Sequence, residues 1–152
     1  TIEFNLMQDV EAARLVVDSG VPLVHVPCLG VASHLLTTKS ELEETIKGRN
    51  AISDFLYERF GEYSQDHFAW AKEIWDISTI AYLLNEDWLP SRLAPSPVLV
   101  GEVKLEREPR FKVTGELHFE QAPGRHPVRE AWFIYRNPIF RDLFTRLQAV
   151  ID

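Results

Sequence analysis

Between Asp9 and Pro27 a helical pattern runs through a glycine into a short apolar strand, and this succession limits the possible folds more than any other stretch. Val10, Ala13 and Val17 share one face of a helix over Asp9 to Ser19, and Gly20 stops it. Pro22-Leu23-Val24-His25-Val26-Pro27 is short, apolar and β-branched. A helix leading through glycine into a strand of about six residues is half of an α/β repeat, with its strand buried on both faces of a parallel sheet. The pattern reads β-α-β from the start of the chain, the first strand finishing near Glu3 and Asn5.

Further elements follow. Ser40 with Glu43 three residues on forms a capping box for a helix through about Lys47, where Gly48 stops it. Ile52, Phe55, Leu56 and Phe60 mark a second amphipathic stretch, and these two helices are expected to cover the sheet. Asp76 opens another, with Ile77, Ile80, Ala81 and Leu84 on one stripe and an end near Asn85. From Pro97 the period changes. Val98 to Leu105, Leu117-His118-Phe119 and Ala131 to Tyr135 read as strands, broken at Pro109-Arg110 and Pro123-Gly124, a small antiparallel excursion. Asn137-Pro138 then suggests an N-cap with proline first in a closing helix carrying Phe140, Leu143, Phe144, Leu147 and Ile151. The fold class expected is α/β, an open mixed sheet with flanking helices, and one domain or part of one over residues 1–152.

Composition excludes several roles. With 45% apolar and 11% aromatic residues, 152 residues suffice for a packed core. The net charge is −7 and the basic residues are scattered (Lys39, Lys47, Arg49, Arg107, Arg110, Arg125), which argues against a nucleic-acid-binding face. Cys28 stands alone and has no intrachain disulfide partner, and no apolar run approaches the roughly 20 residues of a membrane span. These features read as cytoplasmic and reduced. The chain opens at Thr1 with neither signal peptide nor initiator Met, and the expectation is that something upstream has been removed.

G-x-G-x-x-G, P-loop, H-E-x-x-H, C-x-x-C and G-x-S-x-G motifs are all absent, and nothing supports Cys28 as a nucleophile. What remains is a set of polar groups at element ends, where ligands of open α/β sheets bind. On a strand, Glu3 and Asn5 point to the same side and offer an anionic acceptor beside an amide that donates and accepts, a pairing suited to sugar hydroxyls. Their plain alternative is a solvated strand end. For Asp76 the plain alternative is helix capping.

Taken together, Glu3-Phe4-Asn5, Asp9-x-Glu11-Ala12-Ala13, Ser19-Gly20-Val21-Pro22-Leu23, Trp75-Asp76 and Ile80-Ala81-Tyr82-Leu83 resemble the nucleoside hydrolase family in order and spacing, over about residues 1 to 90. The resemblance implies hydrolysis of the N-glycosidic bond of a ribonucleoside, with a calcium ion holding the ribose 2′- and 3′-hydroxyls while an activated water attacks C1′. By the same resemblance, Glu3 and Asn5 contact ribose hydroxyls and Asp76 gives a carboxylate to calcium. The family's aspartate-rich amino-terminal motif has no counterpart in these residues. One carboxylate holds calcium poorly, since the ion takes roughly six to eight oxygens, so this chain alone is expected to be inactive and to bind no metal tightly.

Trp75 departs from the histidine that many members place before the calcium aspartate, where it protonates the leaving base. Tryptophan cannot do so. The variant resembles the purine-preferring branch, in which an indole stacks on the base; packing at the helix start and lost catalysis are the other readings of Trp75. His67, in the segment Tyr63 to Trp70, is the remaining weak candidate for a general acid, and His25 reads as core. A second departure is Pro27-Cys28-Leu29-Gly30-Val31-Ala32-Ser33, where relatives tend to continue Pro-Leu-Asp-Val-Thr. The first reading is thus the carboxyl-terminal part of a nucleoside hydrolase-like enzyme acting on a small ribonucleoside. Its rival is a related module that binds a ribosyl ligand or a protein without turnover. Exposed strand edges in the excursion leave room for a homo-oligomer.

Overall fold

The computed structural model describes residues 3–106 and 112–149. In chain order the elements are α1 (Phe4–Gln8), α2 (Val10–Asp18), β1 (Val24–His25), β2 (Leu36–Thr37), α3 (Lys39–Thr45), α4 (Ala51–Gly61), β3 (Lys72–Glu73), α5 (Ile77–Leu84), β4 (Ser91–Pro95), β5 (Val98–Glu106), β6 (Lys112–Glu120), β7 (Pro127–Ala131) and α6 (Arg136–Gln148). The expected break at Pro109-Arg110, Arg107 and the last apolar position, Ile151, lie outside the described residues. The class is α/β. The chain divides into two compact units, residues 1–29 with 91–132 and residues 30–90 with 133–152.

In the first unit, β7 lies between β1, parallel to it through Val24↔Arg129, and β4, antiparallel from Ser91↔Ala131 to Pro95↔Pro127. The sheet is therefore mixed, as expected. β1 is shorter than its sequence suggested and lies at the sheet's edge with Val24 39% exposed, so it is not a strand buried on both faces. The expected strand over Ala131 to Tyr135 falls instead at Pro127–Ala131. Its ladder with β4 ends at Ser91, and Pro90, just before Ser91, has no N–H with which to extend it.

α2 starts where Asp9 Oδ1 accepts the N–H of Ala12 at 2.9 Å, a local N-cap. Its apolar face places Val17 on Leu99 and Leu117, with Leu6, Val10 and Ala13 packed around them. The guanidinium of Arg125 finishes the helix: Nη2 donates to the Val17 carbonyl at 3.0 Å and Nε to the Ser96 carbonyl at 3.0 Å. The β5–β6 hairpin contains two glycines at φ +97° and +91°, Gly101 and Gly115. A Cβ at either would come within 2.1 Å of a backbone oxygen, Glu116's or Glu102's, so only glycine fits this pairing.

Glu3 and Asn5 do not close a strand. The carbonyl of Glu3 accepts the N–H groups of Leu6 and Met7 at 3.1 and 3.2 Å, and the segment turns into α1. The stretch Glu3-Phe4-Asn5 is too short for its alternation to oppose bonds that close within it.

In the second unit, β2 pairs with β3 antiparallel, and Leu35, Ile46, Leu89 and Ile134 are its largest fully buried apolar side chains. α3 is capped by Thr38, whose Oγ1 accepts the N–H of Glu41 at 3.1 Å, so the cap lies two residues before Ser40 and the Glu41 carboxylate turns instead to Thr37 and Arg136. In α4 Phe60 is buried while Ile52, Phe55 and Leu56 are exposed. α6 begins at Arg136, not at Pro138. Proline is tolerated there because every N–H of the first turn lacks an intrahelical acceptor. Asn50 Nδ2 and Ser53 Oγ each donate to the Leu147 carbonyl at 2.7 Å, fixing α4 to the end of α6.

Candidate functional site

Two groups of sequence-predicted residues fall in separate units. In the first unit Glu3 and Asn5 converge on the loop after β1. The Glu3 carboxylate accepts the N–H of Cys28 at 2.8 Å, and the amide of Asn5 lies 3.9 Å from Cys28 Sγ. Cys28 is thus an anchor, a role its sequence context alone did not suggest. The available signal was its place three residues past β1, at the Pro27-Cys28 departure.

Asn5 and Asp9 also line a cavity of 410 Å³ between α2 and the mixed sheet. Ala13, Val16, Leu23 and Val128 make its walls apolar. His25 contributes from β1, its ring edge-on to Phe119 with centroids 5.8 Å apart. His25 is half-buried and faces a cavity, so it is not a fully buried core histidine. The volume falls within the range of small-molecule pockets, roughly 300–1,000 Å³. Of these walls the sequence pattern had marked Ala13 and Leu23 but not Val16 or Val128, and no motif signalled the space between them.

In the second unit Trp75 and Asp76 occupy the junction between β3 and α5. The Ile74 N–H donates to the Leu35 carbonyl at 2.9 Å, carrying the strand one residue further, and the Ser78 N–H returns to the Trp75 carbonyl at 3.2 Å. Asp76 therefore stands just beyond the carboxyl end of β3. It occupies the N-cap position of α5, yet its side chain makes no capping hydrogen bond. The carboxylate is exposed and Trp75 is half-buried. Plain capping through the side chain does not account for Asp76.

His67 sits in the loop before β3, with its ring edge-on to Trp70 at 5.3 Å, and Trp70 in turn contacts Phe60 at 5.2 Å. Its Nδ1 is buried without a hydrogen-bond partner. An imidazole held in aromatic packing with one nitrogen unpaired is poorly arranged to deliver a proton.

Among the described residues no group of three or more His, Cys, Asp or Glu side chains could hold a metal ion. Asp76 alone does not satisfy calcium's roughly six to eight oxygens, so these residues by themselves do not fit the ion. No helix among the described residues is long and apolar enough to cross a membrane.

The chain is an α/β fold with a mixed sheet, and solved structures share it. A plant nucleoside hydrolase, the PpNRh1 enzyme, superposes with a TM-score of 0.67 at 17% identity, covering 97% of this chain and 48% of that one. The fold is nucleoside-hydrolase-like, and the chain spans about half the length of that enzyme. Neither protein-family models nor curated proteins give a sequence match.

Proposed function

We propose that the chain is part of a protein that hydrolyses the N-glycosidic bond of ribonucleosides. The observation that carries this reading is the nucleoside-hydrolase-like fold over 97% of the chain, joined to the Glu3-Phe4-Asn5 and Trp75-Asp76 segments. Glu3 and Asn5 take ribose hydroxyls in this reading, their orientation supported by their shared contact with Cys28. Trp75 lies against a purine base, a stacking contact worth about 0.5–1.5 kcal/mol beyond burial. Asp76 offers its uncapped carboxylate as one calcium ligand, the others coming from outside these residues. The lone Cys28 fits a reducing, cytoplasmic setting.

Trp75 in place of an acid also supports a second reading, a related module that binds a ribosyl ligand or a protein without turnover. Release of free base from inosine, adenosine, guanosine, uridine and cytidine by the full-length protein, with calcium and with chelator, separates the two. Chelator-sensitive release favouring the purines is the expected result. No release from a folded, calcium-loaded protein would leave the binding module.

A further inference from the structure

Among the described residues, the outer edge of β6 carries a row of backbone groups with no neighbouring strand. Arg14 donates from Nε to the Leu99 carbonyl at 3.1 Å and from Nη2 to the Gly101 carbonyl at 2.5 Å, so these oxygens turn to the side of β5 away from β6. Alternation along an antiparallel pair then makes Val100↔His118 and Glu102↔Glu116 the pairs that exchange both hydrogen bonds. The backbone oxygens of Glu116 and Glu102, each 2.1 Å from where a Cβ of Gly101 or Gly115 would sit, agree with a bonded pair at 102 and 116. Val113, Gly115, Leu117 and Phe119 therefore direct their N–H and C=O groups outward. Among the described residues none of these groups has a hydrogen-bond partner beyond the hairpin. A nine-residue edge without proline is a template for another strand.

We infer that β6 pairs edge to edge and antiparallel with β6 of a second copy, Glu116 lying on the twofold axis. The side chains of β6 are self-complementary in this register. It overlaps all nine residues, sets Lys112 opposite Glu120 twice, and sets Val113 opposite Phe119 twice. Those two apolar side chains are 39% and 38% exposed in the single chain and gain cover in the pair. Sliding the partner by two residues either way shortens the overlap and places Lys112 against His118, or Thr114 against Glu120. Only Glu116 meets its own copy, a like-charge contact that weakens the dimer without changing its register.

Sedimentation equilibrium of the full chain across a range of concentrations tests this. The expected result is a monomer–dimer equilibrium that Lys112→Glu weakens about tenfold, two attractive pairs having become repulsive. Adding Glu120→Lys restores it, and Glu116→Gln tightens it. Val113→Pro removes an outward N–H while leaving the bonds to β5 in place, and it gives a monomer with an unchanged circular dichroism spectrum. A wild-type monomer at every concentration, a dimer indifferent to Lys112→Glu, or a double variant as weak as the single overturns the inference. The charge swap does not depend on the proline variant folding.

Discussion

The carboxylate of Glu3 accepts the backbone N–H of Cys28 at 2.8 Å, joining residues 25 positions apart across the start of α1 and the loop after β1. A charged acceptor on a partly buried N–H is worth roughly 1.5–3 kcal/mol when its loss strands the donor. Glu3→Ala is expected to destabilise the chain by about 1–2 kcal/mol in urea unfolding and to speed hydrogen exchange at the Cys28 amide. Glu3→Gln keeps an acceptor oxygen and should lose less. Equal unfolding midpoints for all three proteins would show that the bond contributes nothing.

Arg125 gathers the Val17, Ser96 and Pro97 carbonyls, each at 3.0 Å, around one guanidinium with a side chain 20% exposed. Arg125→Ala strands these acceptors and should cost about 2–4 kcal/mol. Lysine lacks the planar fork, so Arg125→Lys is expected to recover less than half of the loss in the same measurement.

The unpartnered Nδ1 of His67 predicts that His67→Phe is neutral or stabilising by up to about 1 kcal/mol, because it removes a buried polar atom from an aromatic contact. Base release by the full-length protein should be unchanged. A large fall in that rate with unaltered thermal stability would make His67 a catalytic acid after all.

The Glu43 carboxylate is held below the usual carboxylate range by its hydrogen bond to Lys47, then by the charge of that ammonium. Lys47, which also sits 4.8 Å over the Tyr57 ring, is raised in turn by Glu43 and then Tyr57. A depressed carboxylate stabilises the fold above its unfolded pKa, and the contribution fades as pH falls through the lower folded value. Lys47→Met should therefore return the Glu43 titration, followed by carboxyl NMR shifts, to the ordinary carboxylate range. An unmoved titration would exclude the pair as the cause.

Much of this architecture was legible in the chain. Asp9 and Gly20 bounded α2, and the stripe from Ile77 to Leu84 gave α5 its length, because cap chemistry and apolar period agreed there. They disagreed at α3, where Thr38 and Ser40 both offer capping hydroxyls two residues apart and local sequence does not choose between them. Ile52, Phe55 and Leu56 have helical spacing, but that spacing does not state which face finds a neighbour, and theirs is exposed. For the candidate site, residue types were readable and convergence was not. The contact of Glu3 and Asn5 with Cys28 joins segments more than twenty residues apart, and the cavity beside Asn5 is bounded by six strands and helices. Asp76 was readable as a helix start, but its missing cap bond is a matter of side-chain geometry alone.

The central claim is that the Trp75-Asp76 junction serves ribonucleoside hydrolysis, and base release from inosine by the full-length protein and its Asp76→Asn variant tests it most directly. The variant is expected to fold normally and to release base at least about a hundredfold more slowly, as loss of a charge-stabilising ligand implies. An Asp76→Asn protein that releases base at the wild-type rate would contradict it.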